Sequence, residues 1–582
     1  MVTLTDKHQV ARTLRDISLL LQLRGENAFK ARAYDLGADR IAGLNEDLGK
    51  LVEENRLSEL PGIGSALAEK ITELVTTGHL AYMDKIRGDF PVTILDLLAL
   101  PDLGPKKVSA LWKELNLGTI DALEVACRGA LVRGLKGFGE KTEAKILEGI
   151  ERYRRAHARW LLGDALPRAQ ELLEVIQGAP GVVRASLAGS VRRGCETVGD
   201  VDIVASAREA GPVMDVLVRH SSVAQVIGRG DNKCSVRLVD DLQVDLRVLP
   251  DEDFATGVHH LTGSKAHHIR LRGIALDRGL KLSEYGLMRG EQKLSVPDEA
   301  TLYGLLGMSY VPPELREDSG EVEAALSASL PSPLLERREV RGAIHSHSTW
   351  SDGRNTLEEM AFAARAMGFE YLTVTEHSQT ASYARGMSAE SLLEQWAEID
   401  ALNARLGDFR LLKGIETDIL EDGSLDFPPE VLDRLDVVIA SIHIRHGMGE
   451  SAMTERVLKA LDNPYTHILG HPTGRLISSR DPFPLDMERV FARAAERGVA
   501  IEINGNPERL DLKAEHVRRA LFHGVKLVVS ADSHNVDGLS HVAFSVATAR
   551  KGWARSSDVL NRLPVDEFLR QLRPKPVPAA HG

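Results

Sequence analysis

In the second half of the chain, apolar runs end again and again in side chains that hold metal ions. Arg341-Gly-Ala-Ile344 leads into His345 and His347, with Asp352 close behind. Tyr371 to Thr375 leads to Glu376 and His377, and Phe409 to Ile415 leads to Glu416. Val437 to Ile442 leads to His443, His467 to Gly470 leads to His471, Val499 to Ile503 ends at Asn504, and Lys526 to Ser530 leads to Asp532 and His534. Six histidines and three carboxylates exceed what one ion takes, so two or three Zn²⁺ or Mn²⁺ ions are expected. Cations held in this way lower the pKa of bound water, which then attacks phosphate esters. A second set is all oxygen. Asp200 and Asp202 are two apart in a β-like run, so both carboxylates leave one face of a strand while Val201 and Ile203 take the other. Asp245 shares its face of Leu242 to Val248 with Gln243 and Arg247. Oxygen ligands suit Mg²⁺ or Mn²⁺. Two such ions can activate a 3′-hydroxyl and stabilise a leaving pyrophosphate. Gly189 and Ser190 follow the apolar run Ala185 to Ala188 and offer amides and a hydroxyl to triphosphate oxygens, with Arg193 as the countercharge.

These side chains need elements that aim them. Helical stretches such as Leu357 to Met367 and Met487 to Arg497 separate the ligand-bearing runs, which predicts a parallel α/β barrel. Every strand of such a barrel delivers its polar end to the same C-terminal rim. The carboxylates at 200–245 fall where short β-like runs replace helix. Before them, residues 1 to 155 read as helical, with spacing such as Val10, Leu14, Ile17 and Leu21. Residues 311–335 contain Pro312-Pro313, Asp318-Ser319-Gly320 and Ser327 to Pro333, and read as a linker with a short helix over Glu321 to Leu326. From Arg573, with Pro574, Pro576 and Pro578, a loose tail is expected.

One pattern occurs three times in the helical region: Leu60-Pro-Gly-Ile-Gly64, Leu100-Pro-Asp-Leu-Gly104 and Leu135-Lys-Gly-Phe-Gly139. The glycines Gly62, Gly64, Gly104, Gly137 and Gly139 permit tight turns. The helix that follows then offers free N–H groups to a DNA phosphate without sequence preference. The pattern is similar to the helix-hairpin-helix motif; the middle copy carries Asp102 where a glycine is usual, and an anion there disfavours a phosphate.

The chain has 582 residues, enough for about three to five domains. Its net charge of −12 argues against a generic nucleic-acid coat, so DNA must be held by local basic spots and backbone amides. Cys127, Cys195 and Cys234 form no C-x-x-C pair, so neither a disulfide frame nor a thiolate zinc site is suggested. No run approaches a membrane span, and Met1 to Asp6 lacks the head of a signal peptide, so a cytoplasmic protein without membrane contact is expected.

The segment Gly189 to Val204 resembles the nucleotidyltransferase signature of family X DNA polymerases, the group of DNA polymerase beta. Leu261-Thr-Gly-Ser-Lys-Ala-His-His268 and Glu284-Tyr285-Gly286 resemble that family's thumb. The resemblance implies that Asp200, Asp202 and Asp245 ligate the catalytic ions, that Ser190, Arg193 and Gly199 hold the triphosphate, that Gly263 and His268 face the nucleotide, and that Arg272 approaches the template. His260-Leu261 stand where the family has Tyr-Phe, and His268 where it has Asn, which implies relaxed sugar selection. Asn27-Ala-Phe-Lys-Ala-Arg-Ala-Tyr34 resembles the region that grips a 5′-phosphate, through Lys30, Arg32 and Tyr34. Lys70 aligns with a deoxyribose-phosphate lyase lysine, although Ala66 replaces a nearby lysine. The barrel half resembles the PHP domain, named for polymerases and histidinol phosphatase. The resemblance rests on His345-Ser-His-Ser-Thr-Trp-Ser-Asp-Gly353, Thr375-Glu-His-Ser378, Gly414-Ile-Glu-Thr-Asp-Ile419, Gly470-His-Pro-Thr-Gly-Arg475 and Ala531-Asp-Ser-His534. Ala343 and Glu376 stand where that domain has Asp, at positions expected to orient histidines.

Together these imply a multidomain chain with helix-hairpin-helix domains, an α+β nucleotidyltransferase palm and thumb, and a (β/α)₇ TIM-like PHP barrel. The expected division is a helical domain for DNA 5′ ends over 1–87, a helical DNA-binding region over 88–155, a palm over 156–250, a thumb over 251–315, a linker over 316–338 and the PHP domain over 339–572. The implied function is filling of short gaps in gapped or nicked DNA from deoxynucleoside triphosphates, in base excision repair or end joining, by a monomer. A 3′–5′ exonuclease, with abasic-site endonuclease activity, belongs to the PHP half. Three rival readings are a DNA end-binding scaffold with inert sites, a PHP half that hydrolyses small phosphate esters, and a polymerase without exonuclease activity.

Overall fold

The structure is a computed structural model that describes residues 7–42, 44, 48–60, 62–77, 79–100, 103–157, 159–477 and 480–572. Asp102 and the tail from Arg573 lie outside the described residues. The chain divides into two compact units, Met1–Ala158 and Arg159–Gly582.

The first unit is helical. Val10, Leu14, Ile17 and Leu21 are fully buried along the helix Lys7–Arg24, as their spacing requires. The three glycine hairpins share one hydrogen-bond pattern. In each, a 3₁₀ turn (Leu57–Glu59, Val92–Ala99, Val132–Gly134) runs into the hairpin and then a helix, Ser65–Thr77, Pro105–Leu115 or Glu140–His157. Leu60, Leu100 and Leu135 donate their N–H to Leu57, Leu97 and Val132, and their carbonyls accept from Ile63, Leu103 and Phe138. The three donors, Ile63, Leu103 and Phe138, are buried, which pins each hairpin to the core from below.

The second unit begins with a five-stranded sheet in the order Val182–Leu187, Asp200–Ala207, Gln243–Leu249, Lys233–Leu238, Val223–Arg229. Val201, Ile203, Val244 and Leu246 face its core, leaving Asp200, Asp202, Asp245 and Arg247 on the other face. The helices Phe254–Thr262 and Lys265–Asp277 and a three-stranded sheet over Lys281–Leu294 follow. The linker expected over 316–338 is not loose. Its helix forms at Glu321–Leu326 as expected, but Arg316 and Glu321 are fully buried, and Val322, Ala325 and Leu334 join the core around Leu271 and Tyr303. Arg316 donates to Val311 O at 2.9 Å and to Glu299 Oε1 at 2.5 Å, so the buried charge is paired.

The remainder is a seven-stranded parallel sheet in chain order: Gly342–Ser346, Tyr371–Val374, Arg410–Asp418, Val437–Ser441, Ile468–Leu469, Ala500–Asn504 and Leu527–Ser530. Its strands are buried on both faces, as parallel strands under helices must be. The first and last strands meet where His347 N–H donates to Ser533 O (2.8 Å) and Ser533 N–H to His345 O (3.1 Å). Phe568, on the helix Val565–Gln571, and Leu572 join the interior cluster of Tyr371, Val437 and Ile468.

Candidate metal centres

All nine expected ligands of the barrel converge. They fall into four overlapping groups whose ligand atoms lie within 4.8 Å of one another: His347, Asp352, His377 and His534; His345, His471 and Asp532; His345, His347 and Glu416; His377, Glu416 and His443. Glu416 is the hub. Its oxygens lie 2.8 Å from His471 Nε2, 3.0 Å from His377 Nδ1, 3.2 Å from His443 Nε2 and 3.3 Å from His345 Nε2. Asp352 Oδ1 sits 3.3 Å from His534 Nε2 and 3.6 Å from His377 Nε2. Asp532 Oδ1 sits 3.4 Å from His347 Nε2.

The residues fit divalent cations. His345 Nε2, both ring nitrogens of His347 and Glu416 Oε2 are buried without a hydrogen-bond partner. Buried polar atoms are rarely left so, unless an ion takes their lone pairs. Burial, with His534 and His377 close by, pushes the His347 pKa down to about 3, which leaves a neutral ring able to ligate. Burial would raise Glu416, but His443, His345 and His377 hold it well below the usual carboxylate range. Cations would take over that role and release the protons.

Behind the ligands stand carboxylates that the search of run ends missed. Glu502 Oε1 is 2.5 Å from His345 Nδ1 and accepts from Ser530 Oγ at 2.7 Å. Asp418 Oδ1 is 3.2 Å from His443 Nδ1. Both fix ring orientation and tautomer. The expectation that Glu376 orients a histidine needs correction. Its hydrogen bonds come from Ser348 N–H (3.0 Å), the hydroxyls of Ser348 and Ser351, and Gln395 Nε2 (3.2 Å), so it braces the loop that carries Asp352. Ala343 points into the hydrophobic core; a carboxylate for His345 comes instead from Glu502, on another strand.

On the five-stranded sheet, Asp202 pairs with Asp245 across parallel strands, and Asp200 with Gln243. Burial, then the charges of Asp200 and Asp245, push Asp202 up to about 7. Asp245 goes the other way: burial would raise it, but Lys233, Gln243 and Ser235 hold it below the usual range. Lys233 Nζ lies 2.6 Å from Asp245 Oδ2, a place a cation would otherwise take. The triad is looser than the barrel cluster: it is not among the tight groups found in the described residues. Gly189, at φ +61°, abuts Asp202, since a Cβ there would lie 2.1 Å from Asp202 Oδ2. Ser190 is half-buried in the turn Gly189–Arg192, and Gly199 is exposed just before Asp200. Arg193 donates Nε to Glu317 Oε1 at 3.1 Å and Nη1 to the Thr262 carbonyl, near enough to Asp202 for its charge to oppose the rise of that carboxyl.

His260 and His268, two departures from the family pattern, touch each other, Nδ1 to Nε2, at 3.1 Å, and His260 Nε2 lies 3.3 Å from Glu284. Burial and the neighbouring His260 push His268 down to about 4. Gly263, at φ +66°, ends the helix that carries His260, and Arg272 is exposed on the next, which carries His268.

In the first unit, Lys30, Tyr34, Gly62, Gly64 and Lys70 line one cavity of about 490 Å³ with Tyr82. Lys70 Nζ and Lys30 Nζ stand 5.2 and 5.8 Å from the centroid of the Tyr82 ring. Lys70 also donates to Ala66 O at 2.9 Å. Arg32 is exposed and lies outside that lining. Gly62 and Gly137 have φ of +91° and +87°, and open space surrounds the Cβ positions of Gly64, Gly104 and Gly139.

Comparison with known proteins matches residues 257–317 to the DNA polymerase beta thumb, 5–80 to a helix-hairpin-helix domain and 94–152 to a SAM-like helix-hairpin-helix tandem. The DNA polymerase/3′-5′ exonuclease PolX of Bacillus subtilis (strain 168) is 39% identical over 573 residues, 97% of this chain and 99% of that protein. A probable phosphatase of Acetivibrio thermocellus is 34% identical over 203 residues, 33% of this chain and 78% of that protein. A probable phosphatase of Thermoanaerobacter sp. (strain X514) is 31% identical over 205 residues, 33% of this chain and 77% of that protein.

Proposed function

The chain belongs to the bacterial family X DNA polymerases that carry a C-terminal PHP domain, and from that premise we propose that it fills short gaps during DNA repair, in base excision or end joining. It is a DNA polymerase and 3′–5′ exonuclease that depends on divalent metal. Its substrates are gapped or nicked DNA and deoxynucleoside triphosphates, and it works as a cytoplasmic monomer; no helix among the described residues is long and apolar enough to cross a membrane.

The observation that carries this reading is a pair of side-chain clusters of different chemistry, three carboxylates on adjoining strands and a set rich in imidazole on the barrel. Asp200, Asp202 and Asp245 would hold Mg²⁺ or Mn²⁺; the nine barrel ligands would hold two or three Zn²⁺ or Mn²⁺. Bound there, such ions acidify a hydroxyl or water and neutralise phosphate charge. The chain's own groups do the positioning. Gly189, Ser190, Arg193 and Gly199 seat the triphosphate, Gly263 and His268 face the nucleotide, and Arg272 approaches the template. His260-Leu261 in place of an aromatic pair, with His260 against His268, supports relaxed sugar selection. Gly62, Gly64, Gly104, Gly137 and Gly139 open the hairpins to DNA phosphates, while Lys30, Arg32 and Tyr34 grip a 5′-phosphate. Lys70, which lines one cavity with Lys30 and Tyr34, would supply Schiff-base lyase chemistry, which borohydride trapping against Lys70→Ala tests. Abasic-site endonuclease activity belongs with the barrel. The corresponding division is 1–87, 88–155, 156–250, 251–315 and 339–572, with 316–338 between thumb and barrel.

The test is primer extension and degradation on gapped DNA across Mg²⁺, Mn²⁺ and Zn²⁺. Asp200→Ala with Asp202→Ala abolishes extension and keeps 3′ degradation; His345→Ala does the reverse. Extension unaffected by the aspartate pair sinks the polymerase assignment. The relatives named as phosphatases favour a second reading of the barrel, and hydrolysis of histidinol phosphate without DNA 3′ ends would establish it.

A further inference from the structure

The loop between Ser190 and Asp200 is seated on the barrel. A Cβ on Gly194 would lie 3.6 Å from Ala547 Cβ, on the barrel helix Val542–Lys551. Arg475, four positions after the ligand His471, forks onto Glu196 with contacts of 2.6 and 3.0 Å. Lys551 Nζ lies 2.7 Å from Glu317 Oε1, 3.5 Å from the Arg193 carbonyl and 3.7 Å from Cys195 Sγ. One carboxylate oxygen, Glu317 Oε1, thus takes both Lys551 and Arg193 Nε, the latter at 3.1 Å. The three side chains are only 19%, 15% and 29% exposed for Lys551, Arg193 and Glu317, so water replaces a lost partner poorly.

We infer that Lys551 of the barrel is a positioning residue for nucleotide binding at the polymerase site, acting through Glu317 on Arg193. This rests on the reading of Arg193 as a triphosphate ligand. To reach a triphosphate, Arg193 must leave Glu317. Without another cation, that would strand a half-buried carboxylate, which is costly. Lys551 stays paired with Glu317 and partly neutralises it beforehand, so Arg193 is held loosely and released at small cost. The exonuclease half thereby contributes a group to the affinity of the polymerase half for its nucleotide.

The experiment uses the full chain and single-nucleotide gapped DNA, with steady-state kinetics in deoxynucleoside triphosphate. Lys551→Gln raises KM for the nucleotide roughly three- to tenfold, the effect of one part-buried ion pair, with kcat within about twofold. Lys551→Arg restores KM. Glu317→Gln does not raise KM by itself, and added to Lys551→Gln it returns KM to within about twofold of the parent. Degradation of 3′ ends is unchanged in all of them. An unchanged KM in Lys551→Gln overturns the inference, and so does a rise that Glu317→Gln fails to relieve. Arg193→Gln separates the underlying reading: an unchanged KM there removes Arg193 as a triphosphate ligand, whereas a raised KM beside an inert Lys551→Gln removes the role of Lys551 alone.

Discussion

Asp202 shows how far a single carboxylate can be driven by its surroundings. Buried beside Asp200 and Asp245, its pKa rises to about 7, against about 3.9 in an unfolded chain. The folded protein therefore binds more protons than the unfolded one between about pH 4 and pH 7, and stability falls as pH rises through that range. Asp202→Asn should raise the thermal unfolding midpoint at pH 8 in EDTA and change it little at pH 5; the opposite ordering would show that the carboxylate is not under that pressure. In the barrel, Glu502→Gln should weaken metal binding and 3′ degradation about 10- to 100-fold, the usual cost of losing a carboxylate behind a ligating histidine, with gap filling intact. The convergence of these side chains was legible because nearly all of them follow an apolar run. Glu502 and Asp418 were not sought, yet the alternation that singled out Asp200 and Asp202 also puts Asp418 two residues past Glu416 and Glu502 two before Asn504. A charged residue amid buried strand neighbours, as in Ile501-Glu-Ile503, is the signal that was available.

At the scale of elements, the three hairpins carry the same hydrogen bonds because they carry the same spacing of Leu or Val, Leu and glycine. A β-branched side chain at φ +91° is strained by about 1–2 kcal/mol. Gly62→Val should accordingly weaken affinity for gapped DNA by about tenfold in fluorescence anisotropy, with kcat on saturating DNA little changed. The seven barrel strands were legible as apolar runs because they are buried on both faces. Residues 316–338 pack more closely than their composition suggests, for a physical reason. Proline, glycine and serine report the lack of regular backbone, whereas packing depends on partners elsewhere in the chain, here Glu299 for Arg316 and His267 for Glu321.

For the whole molecule, a net charge of −12 sits beside a DNA-handling function. If hairpin amides rather than many cations hold the phosphates, affinity for gapped DNA should fall shallowly with salt, with a log–log slope of about −3 or flatter. A slope near −8 would point to a broad basic surface instead. The joining of polymerase and barrel by Arg475–Glu196, Arg550–Glu314 and Lys551–Glu317 left no trace in sequence periodicity, since such pairs bring together residues hundreds of positions apart.

The hydrogen bonds of Ser533 with His345 and His347 give the cluster a mechanical duty as well. The barrel's seam is fastened by the backbones of two residues whose imidazoles lie close enough to share an ion, so an ion held there would work as a clasp on a cylinder. Stripping such ions would loosen the staves at this edge before any other. In hydrogen–deuterium exchange with a chelator, the amides of His347 and Ser533 should therefore quicken ahead of those in Val437–Ser441, midway around the wall.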